Sequence, residues 1–248
     1  MRVGLFIPCY MDRLYPRAAM ATLELLEKLG CEVVFPEEQT CCGQPMANSG
    51  LTAQAAGVAA HHAKVFADFD YVVCPSGSCT SMIRNHYHGL LAETPTVMRV
   101  RQKTFELCEF LHDVLKVDTL DASCPRKVGL HRACHGLREL RLGSDSERGH
   151  VKLPNKAEII LAKVKGLELV TLDRPDECCG FGGAFSVGEG QLSVKMGVDR
   201  CADHERNGAE VIASWDMSCL MHLDGVLKNK GSKVRIAHLA EILNGDLA

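Results

Sequence analysis

The sequence predicts an α/β protein made of two tandem, pseudo-symmetric repeats, each a small, mostly parallel sheet flanked by helices. Two observations favour this class. Four landmarks of the first half recur in the same order in the second half. In both halves, short apolar runs alternate with segments of helical spacing. We expect the repeats to span residues 1–120 and 121–248, because the polar, proline-containing segment VDTLDASCPRK lies at the junction.

The recurring landmarks are short strings with the same order of residue types. Val-Gly-Leu, followed after three residues by a cysteine, occurs in VGLFIPCY (3–10) and again in VGLHRACH (128–135). Two adjacent cysteines and a glycine occur in TCCGQP and in ECCGFG. A Ser-Cys pair follows in GSCTSM and in MSCLMH, and ELCEFL matches HLAEIL near the end of each half. The shared order indicates a tandem duplication, so we expect both halves to fold alike.

The predicted elements of the first half alternate between strand and helix. VGLFI is a short apolar strand, and YPRAAMATLELLEKLG has helical spacing and ends at a glycine suited to a helix C-terminus. CEVVF is the second strand. LTAQAAGVAAHHAKVFA is the second helix, with His61 and His62 expected on a solvated face, and YVVC is the third strand.

The second half predicts the same alternation. Its strands are KVGLH, LELVTL and EVIAS. Helices are expected through KAEIILAKV and QLSVKMGVDRCADHERNG, and again after EVIAS. Strands separated by helices are typical of parallel α/β units, in which binding sites collect at the carboxyl ends of the strands.

Composition excludes several classes of function. The chain has 248 residues and a net charge of −3, which argues against a nucleic-acid-binding protein. No apolar run approaches the roughly 20 residues needed to cross a bilayer, so no membrane span is predicted, and the N-terminal apolar stretch is too short for a signal peptide. We therefore expect a cytoplasmic protein with reduced thiols, in which metal ligation is the leading reason for thirteen cysteines.

Four cysteines in each half recur at equivalent places and are the candidate ligands. They are Cys9, Cys41, Cys42 and Cys79 in the first half and Cys134, Cys178, Cys179 and Cys219 in the second. Four thiolates suit either zinc or an iron–sulfur cluster. Because adjacent side chains diverge, both members of a Cys-Cys pair reach a multi-iron cluster more easily than one small ion. The sequence therefore favours a cluster, with zinc in one or both sites as the alternative.

The remaining motifs near these cysteines have two interpretations each. The glycines of CCGFGG either let backbone N–H groups approach the thiolates or only form a tight turn. His131 and His135, on either side of Cys134, are either hydrogen-bond donors or proton relays beside the metal site, or histidines bonded to backbone. Arg132 and Arg138 could hold a carboxylate, but an ion pair with Glu139 or another acid is the expected arrangement. Cys74 matches Ser214 in the repeat and is predicted not to be a ligand.

A cysteine, a CCG triplet and a later cysteine, present in both halves, resemble the CCG-domain (cysteine-rich domain) family. This family includes one of the subunits of heterodisulfide reductase and the iron–sulfur subunits of glycolate and glycerol-3-phosphate oxidation. The strings EQTCCGQP, CPSGSCT, CCGFGGAFSV and DMSCLM are similar to its lactate-utilisation members. The resemblance implies an iron–sulfur electron-transfer subunit of a multi-subunit complex that oxidises L-lactate to pyruvate, with one cluster per repeat.

The chain departs from the fuller family pattern at one place in each half. That pattern ends each repeat with Cys-x-x-Cys, whereas Met82 and His222 stand where the last cysteine would be. The resemblance then implies four thiolates per repeat, sufficient for a [4Fe–4S] cluster, with His222 as a candidate extra ligand. It argues against an unusual five-cysteine cluster and against the heterodisulfide reaction.

No feature of the sequence identifies a catalytic residue or a site for a hydride acceptor. The dinucleotide fingerprint G-x-G-x-x-G and the ferredoxin run C-x₂-C-x₂-C-x₃-C are both missing. We therefore expect a partner with ferredoxin-type iron–sulfur clusters and a further lactate-utilisation subunit. Two other functions stay open: a zinc-binding scaffold subunit, and a thiol/disulfide oxidoreductase of the heterodisulfide-reductase type.

Overall fold

Two four-stranded parallel sheets form the framework of the protein, as seen in a computed structural model that describes residues 1–247. The strands are β1 (Arg2–Leu5), β2 (Glu32–Val34), β3 (Tyr71–Cys74), β4 (Thr104–Glu106), β5 (Lys127–Leu130), β6 (Glu168–Leu169), β7 (Val211–Ser214) and β8 (Arg235–His238). The strand order is β2-β1-β3-β4 in the first sheet and β6-β5-β7-β8 in the second. The predicted α/β class and the tandem pseudo-symmetric organisation are therefore confirmed.

Helices connect the strands and flank both sheets. Those of the first half are α1 (Cys9–Leu14), α2 (Pro16–Lys28), α3 (Gln44–Asn48), α4 (Thr52–Val65), α5 (Gly77–Ser81), α6 (Pro95–Lys103) and α7 (Leu107–Glu109). Those of the second half are α8 (Lys156–Leu161), α9 (Ala184–Gly188), α10 (Gly190–Arg206), α11 (Met217–Asn229) and α12 (Leu239–Asn244). Short π-helical turns cover Met82–His86, Phe110–Val114 and His135–Glu139, and a 3₁₀ turn covers Tyr87–Gly89. Within residues 1–247, no helix combines the length and the apolar character needed to cross a membrane.

The strand register matches the repeat found in the sequence. Val3 lies opposite Tyr71 in the pairing of β1 with β3, and Val128 lies opposite Val211 in the pairing of β5 with β7. The predicted helix after the first strand begins at a proline, whose missing N–H costs nothing in a first turn, and ends just before Gly30, which has a φ of +81°.

The sequence did not reveal the fourth strand of either sheet. β4 and β8 are three and four residues long, and each ends on the first residue of the fourth landmark, ELCEFL or HLAEIL. In both halves the last residue of this strand caps the following helix. The Glu106 carboxylate accepts the N–H groups of Cys108 and Glu109, and Nδ1 of His238 accepts the N–H of Ala240. A glutamate and a histidine thus perform the same capping at equivalent positions.

One hydrophobic core runs through both halves. It contains Val3 and Leu5 of the first sheet together with Val128 and Ile212 of the second. The core also takes in buried residues of the junction segment, so this segment is not an exposed linker. The division at 120/121 stays a prediction.

The last helix joins the two halves directly. Helix α12 lies against α2, and the Asn244 side chain accepts a hydrogen bond from Lys28 at 2.7 Å and donates one to Glu24 at 2.8 Å. The two repeats are therefore packed as one body around the cavity described next.

Candidate metal centre

All eight candidate cysteines line one cavity of about 400 Å³. Those of the first half are Cys9 at the start of α1, Cys41 and Cys42 before α3, and Cys79 in α5. Those of the second half are Cys134 before a π-helical turn, Cys178 and Cys179 before α9, and Cys219 in α11. The sequence predicted one set per repeat, and the structure brings both sets to the walls of the same space.

The glycine after each cysteine pair turns the backbone towards the first sulfur of the pair. Gly43 has a φ of +90°, and its N–H donates a 3.4 Å hydrogen bond to Sγ of Cys41. Gly180 has a φ of +87°, and its N–H donates to Sγ of Cys178 at 3.3 Å. Left-handed backbone of this kind favours glycine, so the CCG triplet supplies both the turn and a donor to sulfur.

Hydrogen bonds between the thiols make the first cysteine of each pair strongly acidic. Donation from Cys42 and Cys9 lowers the pKa of Cys41 to about 3. Donation from Cys134 and Cys179 lowers the pKa of Cys178 to about 2. Each set thus places a thiolate in contact with protonated thiols.

The donating thiols are correspondingly hard to ionise. The pKa of Cys9 is raised chiefly by its hydrogen bond to Cys41, and that of Cys179 chiefly by its bond to Cys178. Neighbouring thiolates repel one another, so all four cysteines of a set can ionise together only around a bound cation. Their soft sulfur donors fit a thiophilic metal.

One group of donors in residues 1–247 is close enough to hold a single metal atom. The ligand atoms of His131, Cys179 and Cys219 all lie within 4.8 Å of one another. His131 is completely buried, and neither of its ring nitrogens has a hydrogen-bond partner among the described residues. Of the two interpretations of His131, the hydrogen bond to backbone is therefore wrong, and nothing in the sequence apart from its position three residues before Cys134 pointed to this grouping.

The candidate extra ligand His222 faces a helix. Its Nε2 lies 3.2 Å from the carbonyl oxygen of Ser193 in α10, and the ring packs beside Gly197. His222 is not among the residues that line the cavity. In the first half, Met82 takes the equivalent position and is buried in a second hydrophobic cluster, which is formed by first-half residues such as Phe6 and Phe66.

Cys74 lies directly behind the first set. It is completely buried and absent from the cavity wall. The pKa of Cys79 is lowered chiefly by a hydrogen bond from Cys42 and further by one from Cys74. This placement suits a residue that supports a ligand, in keeping with the sequence interpretation that Cys74 is not one.

A hydrogen-bonded group across the junction of the two halves was not anticipated. The buried carboxylate of Asp216 accepts hydrogen bonds from the hydroxyls of Ser76 at 2.6 Å and Ser78 at 2.8 Å. The Ser76 hydroxyl in turn accepts the N–H of Cys79 at 3.2 Å. These side chains line the same cavity, so the second repeat fixes part of the wall that carries a first-repeat cysteine.

The two arginines near Cys134 are neutralised by acidic partners. Arg132 donates to Glu158 at 2.5 Å, and Arg138 donates to Glu147 at 2.6 Å. Glu139 instead bonds to the Ser81 hydroxyl and lies 2.9 Å from His86. The predicted ion pairing is confirmed, with acids other than Glu139.

Comparison with known proteins agrees with this organisation. The family described as cysteine-rich domain, CCG, matches residues 3–84 and 128–224, which contain all eight cysteines of the cavity wall. Among curated relatives, lactate utilization protein A of Geobacillus thermodenitrificans (strain NG80-2) is 42% identical over 98% of this chain and 99% of its own length. The proteins of the same name from Exiguobacterium sp. (strain ATCC BAA-1283 / AT1b) and Bacillus subtilis (strain 168) are 43% and 41% identical, over 98% of this chain and 96% and 99% of their own lengths.

The two matched segments lie one in each half of the chain, and the relatives extend over nearly the whole chain. On these grounds the chain belongs to the CCG cysteine-rich domain family.

Proposed function

We propose that this protein is an iron–sulfur electron-transfer subunit of a complex that oxidises L-lactate to pyruvate. The observation that carries the proposal is the single cavity lined by two equivalent sets of four cysteines. The names of the relatives, which refer to lactate utilization, supply the substrate.

Each repeat would hold one [4Fe–4S] cluster, and such clusters accept and release single electrons. The proposed ligands are the four cysteines of each set. The N–H groups of Gly43 and Gly180 already point at sulfur, where they would offset negative charge on a bound cluster.

Oxidation of a 2-hydroxy acid to a 2-oxo acid releases two electrons and two protons. Two one-electron centres at one cavity match that stoichiometry. The first acceptor of a hydride is commonly a flavin or nicotinamide. The proposed partners are therefore a ferredoxin-type iron–sulfur subunit and a further lactate-utilisation subunit, one of which would bind the hydride acceptor.

The proposed location of the complex is the cytoplasm. All thirteen cysteines are free thiols in the structure, and none is engaged in a disulfide within residues 1–247. Free thiols in this number suit a reducing compartment.

One observation favours a second candidate, a zinc-binding scaffold. The close grouping of His131, Cys179 and Cys219 is also a donor set that zinc accepts. If only the second repeat bound zinc, the first repeat could still hold an iron–sulfur cluster. If both repeats bound zinc, the protein could not transfer electrons.

Gene disruption in the host organism tests the proposed function. The disrupted strain should fail to grow on L-lactate and should grow normally on pyruvate, which lies beyond the proposed step. The wild-type gene should restore growth on lactate, and a Cys42→Ser/Cys179→Ser variant of equal abundance should not. Normal growth of the disrupted strain on lactate would overturn the proposal.

A further inference from the structure

We propose that His131 is a ligand of the metal centre in the second repeat, together with Cys179 and Cys219. His131 would take the place of one of the other two cysteines of the second set, Cys134 or Cys178. That centre would then have mixed imidazole and thiolate ligation, and the centre of the first repeat would have thiolates only. The inference rests on the metal binding in the proposed function, and it concerns a residue outside the recurring cysteine sets.

The geometry around His131 suits a metal ligand. Its ligand atom lies within 4.8 Å of the sulfurs of Cys179 and Cys219. The side chain is completely buried, and both ring nitrogens lack a hydrogen-bond partner in the described part of the chain. Since buried polar groups are nearly always bonded, an unpartnered imidazole beside two thiols is best explained by coordination.

The repeat shows that the fold does not require a histidine here. The landmark strings align His131 with Phe6. Phe6 packs in an aromatic group, with ring centroids 4.7 Å from His62 and 5.6 Å from Phe66. An apolar ring satisfies this position in the first repeat, so the imidazole is a feature of the second site alone.

No neighbouring side chain in residues 1–247 hydrogen-bonds to His131. The groups that influence it electrostatically are Arg200, Cys178 and His222, and the buried His204 is also close enough to interact with it. Arg200 donates to the carbonyl of Arg174 and, at 3.0 Å, to Asp203, and both ring nitrogens of His204 are themselves unpartnered among residues 1–247. Neither residue hydrogen-bonds to His131.

His131 is better placed to bind a metal than His222, the histidine that stands where the family pattern has its last cysteine. Nε2 of His222 is 3.2 Å from a backbone carbonyl of α10, which already gives that nitrogen a partner. A neutral imidazole in place of a thiolate reduces the negative charge of an iron–sulfur centre and raises its reduction potential. The two centres of this chain would therefore differ in potential.

The test uses the full-length chain, purified without oxygen and labelled with ¹⁵N-histidine. In the reduced protein, pulsed EPR should detect hyperfine coupling from a histidine nitrogen bound to iron. The coupling should persist in His222→Gln and disappear in His131→Phe, which copies the residue of the first repeat. The potential of the remaining second-site signal should become more negative.

A second variant protects the test against misfolding. His131→Cys keeps a metal ligand, so it should retain wild-type iron content and still lack the nitrogen coupling. Persistence of the coupling in both His131 variants, or its absence from wild-type protein that contains both clusters, would overturn the inference. If the second site contains zinc instead of iron, the cluster assignment fails, but X-ray absorption at the zinc edge still shows whether His131 is a ligand. A nitrogen at about 2.0 Å from zinc that is lost in His131→Cys would support the inference. Coordination by sulfur alone would overturn it.

Discussion

Ser76 and Asp216 occupy equivalent positions in the two repeats and are hydrogen-bonded to each other at 2.6 Å. The equivalence follows from the alignment of the Ser-Cys landmarks, in which Cys79 matches Cys219. Contact between equivalent residues means that the pseudo-symmetry axis passes close to this pair. Both residues line the cavity, so the two cysteine sets meet where the two repeats meet.

Loss of the Asp216 carboxylate should destabilise the protein. Asp216→Ala leaves the Ser76 hydroxyl and the N–H of Ser78 without their buried acceptor, at an expected cost of about 1–3 kcal/mol in the free energy of unfolding. Denaturant unfolding measures this cost. Asp199→Asn, which removes an exposed charge paired with Lys195, is the control and should cost less than about 0.5 kcal/mol. Equal effects of the two substitutions would contradict the proposed role of Asp216.

Alanine in place of the CCG glycines should be tolerated unequally. A Cβ at Gly180 would lie 2.6 Å from Cβ of Met196 and 2.7 Å from the carbonyl oxygen of Ser193, whereas the closest atom at Gly43 is 3.4 Å away. Both residues have positive φ, which costs an alanine about 1–2 kcal/mol. Gly180→Ala should therefore lower the unfolding free energy and the metal content more than Gly43→Ala.

Gly208→Ala provides the matched control for this pair. Gly208 has a φ of +76°, and no atom lies within 4 Å of its added Cβ, so the substitution tests the backbone cost without a steric clash. We expect its cost to be close to that of Gly43→Ala. A Gly180→Ala protein as stable as Gly208→Ala would show that the packing against α10 is unimportant.

The stability of the protein should fall as pH decreases from 7 to 5, partly because of His62. Burial lowers the pKa of His62 from 6.5 to about 3. Between these values the unfolded chain binds a proton that the folded chain does not, so the folded state loses free energy relative to the unfolded state as pH falls. His62→Phe should reduce that loss by about 1–2 kcal/mol between pH 7 and pH 5.

Phenylalanine suits this position because His62 already packs between Phe6 and Phe66. Unfolding curves recorded at several pH values decide the question. An unaltered pH dependence in His62→Phe would contradict the assignment.

The sequence revealed the cysteine sets more fully than their surroundings. The eight cysteines were identifiable because a repeat compares the chain with itself, and because strand ends collect binding sites in parallel sheets. The shared cavity was not predictable, since it depends on how the repeats pack. β4 and β8 escaped notice because three or four residues are too few to show a period.

The surroundings of two histidines, His62 and His131, could not be predicted from the sequence either. His62 was expected on a solvated face of its predicted helix, yet it is only 2% exposed. Its burial depends on aromatic residues distant in the sequence, such as Phe6 and Tyr87. The proximity of His131 to Cys179 and Cys219 is likewise a product of tertiary structure.

The most direct test of two iron–sulfur centres at one cavity is the metal content and reduced EPR spectrum of the anaerobically purified chain. The wild-type protein should contain about eight irons and eight sulfides, and Cys42→Ser and Cys179→Ser should each retain about half. Because the two centres would share a cavity of about 400 Å³, the wild-type spectrum should show spin coupling and differ from the sum of the two variant spectra. Zinc without iron, or a wild-type spectrum equal to that sum, would contradict the account.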